Sequence, residues 1–136
     1  MKFLTSIVLS RTPEQKRVFE LSTNLIFESS KYQIIVYSGH ITDGASVPRF
    51  MWWLMDPFSG NYLPAAIIHD ALYASQILSK EESDLIFLEG MLCCGVSNFT
   101  AHIMYNAVKL FGQTTWDKLS KDARYSRIFV KILKVI

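Results

Sequence analysis

Residues 17–41, "RVFELSTNLIFESSKYQIIVYSGHI", decide the fold class. The first part, residues 17–29, is β-prone with imperfect alternation. The second, residues 32–41, is a β-branched and aromatic run that Gly39 closes. Ser29, Ser30 and Lys31 supply the turn between them. The pattern predicts a β-hairpin or a small antiparallel sheet. Downstream, "TDGASVPR" (42–49) reads as a tight loop in which Asp43-Gly44 makes a turn and Pro48 fixes the chain before a short helix, "RFMWWLM" (49–55).

Beyond that point the chain turns helical. "NYLPAAIIHDALYASQ" (61–76) predicts an apolar helix capped by Ser59 or Asn61, with Pro64 tolerated in its first turn. Ser79 and Glu82 have capping-box spacing at the head of the next helix, which runs through "SDLIFLEGMLCCG" and stops near Gly95. Asn98 is placed to cap a third helix that ends at Gly112. A fourth segment, residues 114–136, is charged and then apolar. The predicted architecture is α+β: one domain over residues 1–136, strand-rich over 1–48 and helical over 49–136. A small sheet comes first, and a layer of three to four helices follows.

Composition supports a folded domain and narrows its partners. Half of the 136 residues are apolar and 13% are aromatic, which excludes a disordered chain. Fourteen basic against twelve acidic residues leave +2, too little to call for nucleic acid. No stretch approaches the ~18 apolar residues of a membrane span. The start, "MKFLTSIVLSR", lacks a cleavage motif and is not read as a secretion signal. Cys93 and Cys94 are adjacent and have no third thiol to pair with, so they read as reduced core residues in a cytoplasmic setting.

Chemistry enters at His69 and Asp70, an imidazole and a carboxylate in the middle of an apolar helix. Burying either costs several kcal/mol, of order 2–7, without a partner. Tyr73 lies one turn beyond His69, on the same face. On the next helix Asp84 is in phase with Phe87, Leu88 and Met91, so its carboxylate falls on an apolar stripe. The short connection makes the two helices antiparallel neighbours, and we expect Asp84 to accept a hydrogen bond from His69. That bond fixes the tautomer and leaves the other ring nitrogen free to take a proton. Asp70 can hold a divalent cation such as calcium with oxygens from residues 42–46 or 56–62. The minimal chemistry is then attack of a His69-activated water on an ester.

Two resemblances follow from these residues. "HDALY", with Asp84 on the following helix, resembles the active-site helices of secreted and parvoviral phospholipases A2 over about thirty residues. That resemblance implies His69 as base, Asp70 as calcium ligand, and Tyr73 and Asp84 as the orienting pair. The chain departs from that family in having no glycine-rich loop just before the helix and no disulfides. More broadly, "ITDGASVPRFMWWLMDP", "AAIIHDALY", "SDLIFLEGM" and "MYNAVKLFG" resemble a family of small phage and prophage proteins, domain of unknown function 1353. This implies phage origin, a setting in the host cytoplasm or the virion, and a shared site of Asp43, Ser46, Pro48, His69, Asp70, Tyr73 and Asp84.

Other readings stand beside these. The same polar residues can form a buried network that locks the helices to the 43–48 loop in a non-catalytic virion or host-directed protein. An enzyme needs His69 in an open pocket, whereas a structural network is sealed. His40, near Thr42 and Asp43, is a weaker metal candidate; His102 reads as a helix-surface residue, and Trp52 and Trp53 as core or interface filling. Finally, Lys121, Arg124, Arg127, Lys131 and Lys134 recur every three or four residues. On a helix they form one basic stripe, facing solvent, an anionic surface, or a phage or host protein.

Overall fold

The computed structural model describes residues 1–5, 9–11, 19–42 and 62–134. The 43–48 loop and the short helix expected over 49–55 lie outside them. β4 (Leu25–Glu28) and β5 (Tyr32–Val36) pair antiparallel in the predicted hairpin, Leu25 opposite Val36 and Glu28 opposite Gln33. Its turn is the expected one: the Ser29 hydroxyl accepts the Tyr32 amide at 2.9 Å, and the Ser30 hydroxyl donates to Glu89 at 2.6 Å. β1 (Lys2–Phe3) joins one edge and β7 (Val130–Lys134) the other, giving an antiparallel sheet in the order β1-β4-β5-β7. A second sheet pairs β2 (Leu9–Arg11), β3 (Phe19–Leu21) and β6 (Ile41–Thr42) in the order β2-β3-β6.

The helices follow as α1 (Leu63–Ser75), α2 (Lys80–Cys93), α3 (Asn98–Phe111), α4 (Gln113–Leu119) and α5 (Ala123–Ser126). The α+β reading is therefore correct, a small antiparallel sheet followed by a helical layer. α1 is buried almost all round because it serves two cores. One side packs Ile67, Ile68, Ala71 and Leu72 against Leu25, Phe27, Ile34 and Val36 of the sheet. The other places Ala65 and Ala66 with Phe87 and Met91 of α2 and Met104 and Val108 of α3. Each large side chain so buried contributes about 1.5–3 kcal/mol. α1 and α2 approach closely because small residues face each other: a β-carbon on Gly90 would lie 3.0 Å from that of Ala65. That spacing brings His69 within reach of Asp84.

Helix ends bear on three of the expected caps. α1 begins after Tyr62, which stands at the cap position and makes no side-chain cap, whereas the expected caps Ser59 and Asn61 lie outside the described residues; Pro64 sits in the first turn as expected. Ser97, not Asn98, caps α3, its hydroxyl accepting the Thr100 amide at 3.3 Å. The Ser79 cap is as read, with the Glu82 amide 3.2 Å away. At the end of α2, Gly95 takes a positive φ of 85°, its amide reaching Leu92 and the Val96 amide reaching Met91. This is the paired closure that only a residue free of β-carbon strain makes readily.

The tail requires the largest correction. Residues 130–134 are not helical but form β7, with Val36 opposite Val130 and Tyr32 opposite Lys134. The open edge of β5 supplies hydrogen bonds that outweigh the helical spacing of the basic residues. No single basic stripe exists, because Lys131 and Lys134 are an odd number of positions apart on a strand and point to opposite faces. Arg127 is drawn inward, donating from Nε to the Ser75 carbonyl at 2.9 Å and from Nη2 to that of Gln76 at 3.3 Å. It caps the last carbonyls of α1. Lys121 and Arg124 are exposed. Among the described residues no helix is long and apolar enough to cross a membrane.

Candidate functional site

His69 and Asp84 meet across the antiparallel pair α1 and α2, with Nε2 and Oδ1 2.8 Å apart. A carboxylate only accepts, so the hydrogen-bond network assigns the ring proton to Nε2 and, among the described residues, leaves the Nδ1 lone pair unshared. Tyr73 donates its hydroxyl to the same Oδ1 at 2.7 Å. The imidazole lies against the Phe87 ring, centroids 4.5 Å apart, and the Tyr73 ring, 4.2 Å away. Its orientation is thus fixed by packing and by hydrogen bonding together.

The electrostatics follow from burial. His69 is 0% exposed and Asp84 2%. Burial presses the imidazole below its usual value of 6.5, and the Asp84 bond opposes that only in part. For Asp84, burial pushes upward, but the bonds from His69, Lys80 and Tyr73 together outweigh it and hold the carboxyl below its usual 3.8. Tyr73 is raised by burial first and by its bond to Asp84 second. At neutral pH the site is a neutral imidazole facing a carboxylate, the pairing that stabilises a proton once Nδ1 accepts one. Among the described residues, Nδ1 of His69 and Oγ of Ser75 are buried without a hydrogen-bond partner.

Lys80 is the member that sequence reasoning missed. Its ammonium lies 2.9 Å from Asp84 Oδ2, one helical turn away. The i,i+4 spacing on α2 was the available signal. A second pair was also missed: His40 Nε2 stands 3.1 Å from Oδ2 of Asp70, with both side chains largely buried. Consecutive residues of α1 thus serve two imidazole–carboxylate pairs of opposite polarity, His69 to α2 and Asp70 to the end of the hairpin.

The expected calcium site finds little support in these donors. Calcium takes about six to eight oxygens, and the described surroundings of Asp70 supply one carboxylate already bonded to an imidazole. Among the described residues no group of three or more His, Cys, Asp or Glu side chains is placed to hold a metal. The described donors do not fit calcium. Asp43, Gly44, Ser46, Pro48, Trp52 and Trp53 lie outside the described residues. His102 is on the helix surface as read. Cys93 is exposed and Cys94 half-buried, so neither is the deep core residue expected; both thiols are free, and burial raises them.

Comparison with known proteins gives a family match. A family model described as "Protein of unknown function (DUF1353)" matches residues 19–108. Uncharacterized protein y4jT of Sinorhizobium fredii (strain NBRC 101917 / NGR234) is 33% identical over 101 residues, 73% of this chain and 30% of that protein. Uncharacterized protein y4iH of the same strain is 32% identical over 72 residues, 52% of this chain and 30% of that protein. The aligned part of this chain thus spans about a third of the length of each relative. No solved structure matches.

Proposed function

The chain belongs to the DUF1353 family, and within it we propose a hydrolase-like site with His69 as general base. The observation that carries this reading is the division of labour on the imidazole. Nε2 is held by Asp84, while Nδ1 is buried without a partner among the described residues. A core that only needed filling gains nothing from such a nitrogen, since an unmet buried acceptor costs about 1–3 kcal/mol. In the proposed chemistry Nδ1 takes a proton from water as its oxygen attacks an ester carbon. The proton then passes to the departing alkoxide, and Asp84 stabilises the intervening imidazolium. Tyr73 and Asp84 orient the ring, and the likeness of "HDALY" to phospholipase A2 helices points to carboxylic esters as the first substrates to try.

A second reading draws on burial. His69 is 0% exposed, so a substrate reaches Nδ1 only if a wall of the site opens. A sealed network is what a non-catalytic phage virion component or host-directed protein would use to lock its helices. His69→Gln separates the two. It keeps size and a donor but cannot act as a base near neutral pH. If His69 is catalytic, the variant stays folded and loses the hydrolysis of fluorogenic carboxylic esters and phospholipid vesicles that the wild type shows. If the network is architectural, the wild type is inactive and the variant loses about 1–3 kcal/mol of stability.

A further inference from the structure

Lys80 is held more tightly than an i,i+4 lysine on a helix surface. Its ammonium has three protons and meets three acceptors: Asp84 Oδ2 at 2.9 Å, the Val108 carbonyl at 3.2 Å and the Lys109 carbonyl at 3.3 Å. It also lies 5.9 Å from the centre of the Tyr73 ring, and its side chain is only 14% exposed. Val108 and Lys109 belong to the last turn of α3, where the helix dipole is negative; the Val108 carbonyl also accepts the Gly112 amide at 2.8 Å. One cation therefore joins the end of α3 to the carboxylate that orients His69.

Two consequences follow for Asp84. Its oxygens are divided, Oδ1 to His69 and Tyr73 and Oδ2 to Lys80, so the carboxylate has no freedom to swing. Its charge is also cancelled within the site. Among the described residues, the charged or titratable groups facing His69 are Asp70 and Tyr73 from α1 and Lys80 and Asp84 from α2, with the α3 carbonyls beyond Lys80. Without Lys80 the buried carboxylate would be compensated most readily by a proton on His69, which would occupy the base before any substrate arrived.

We propose that Lys80 is the positioning residue of this site: clamped by the last carbonyls of α3, its ammonium fixes which Asp84 oxygen faces His69 and, added to burial, helps keep the imidazole free of a proton. Calling it a positioning residue rests on the reading of His69 as a base, while the placement of its charge can be tested without any substrate.

The experiment compares wild type, Lys80→Met and Lys80→Arg by long-range proton–nitrogen NMR of the His69 ring, with ester hydrolysis and thermal unfolding measured on the same samples. Wild type should show one neutral tautomer with the proton on Nε2. In Lys80→Met, His69 should titrate about one pH unit higher, a tenfold gain in proton affinity, and Lys80→Arg should restore much of the wild-type behaviour. Unchanged titration and tautomer in Lys80→Met, with only a lower melting temperature, would overturn the proposal and leave Lys80 a clamp on α3. Should Lys80→Met not fold, the wild-type ammonium decides. Slowly exchanging Lys80 protons at pH 7 support the clamp, and exchange as fast as at exposed Lys118 and Lys121 overturns it. A Lys80-dependent tautomer in a chain without hydrolytic activity supports the charge placement and removes the general-base reading. Lost activity with an unchanged ring signature does the reverse.

Discussion

Tyr73 donates its hydroxyl to Oδ1 of Asp84 at 2.7 Å, the same oxygen that accepts from His69. The shared oxygen ranks the members of the network. Tyr73→Phe removes one donor and leaves the carboxylate its bonds to His69 and Lys80, costing about 1.5–3 kcal/mol. Asp84→Ala strands a neutral imidazole, a phenol and a largely buried ammonium together and costs about 3–5 kcal/mol. Chemical denaturation of both variants checks the order. A Tyr73→Phe loss equal to that of Asp84→Ala would mean that the hydroxyl, not the carboxylate, organises the site.

The site should make stability fall at both ends of the pH scale. His69 is held below 6.5 in the fold, so from pH 6.5 downward the unfolded chain takes up the proton first and stability declines. Asp84 is held below 3.8 and adds a second decline of the same sign below that pH. Tyr73 is raised above 10.0, so above pH 10 the unfolded chain loses its proton first and stability falls again. Melting temperature against pH should show a plateau between these limits, and its acid shoulder near 6.5 should disappear in His69→Gln.

His40 and Asp70 should behave as one unit. Their 3.1 Å contact joins the end of the hairpin to α1, and the His40 ring also packs edge-on against Phe129. His40→Ala and Asp70→Asn should each destabilise, while the double variant loses less than their sum by about 0.5–3 kcal/mol. Additive losses in urea would show that the two side chains contribute separately.

Gly112 admits the Tyr73 hydroxyl into the junction between α3 and α4. A β-carbon there would stand 2.6 Å from the Tyr73 hydroxyl and collide with the Val108 carbonyl. Gly112→Ala should therefore cost about 1–3 kcal/mol and displace Tyr73 from Asp84, with altered near-ultraviolet circular dichroism as the local readout. A neutral result would mean that α4 gives way without cost.

Local signals carried the hairpin and the pair of central helices. Turn residues at 29–31 between two β-prone runs placed β4 and β5, and helical phase with a short connection brought His69, Tyr73 and Asp84 together. What failed depended on distant partners. The basic residues of 121–134 have helical spacing, and only the unpaired edge of β5 makes Val130–Lys134 a strand. Lys80 had a local signal in its i,i+4 spacing to Asp84, but its clamp was hidden, because two of its three acceptors are carbonyls of α3, 28 and 29 positions away. The bond from His40 to Asp70 spans 30 positions and leaves no periodic trace.

The pairing of β5 with β7 also sets the order in which the chain completes itself. Val36 lies opposite Val130, so the hairpin emerges from the ribosome long before its neighbour and for that interval carries a bare edge with Ile34 and Val36. Closing so long a loop is slow, and an unpaired apolar edge is a template for wrong partners. The hazard therefore belongs to synthesis and refolding rather than to the finished fold. β7 ends it, and its lysines leave an outer edge that is poorly suited to recruit another strand.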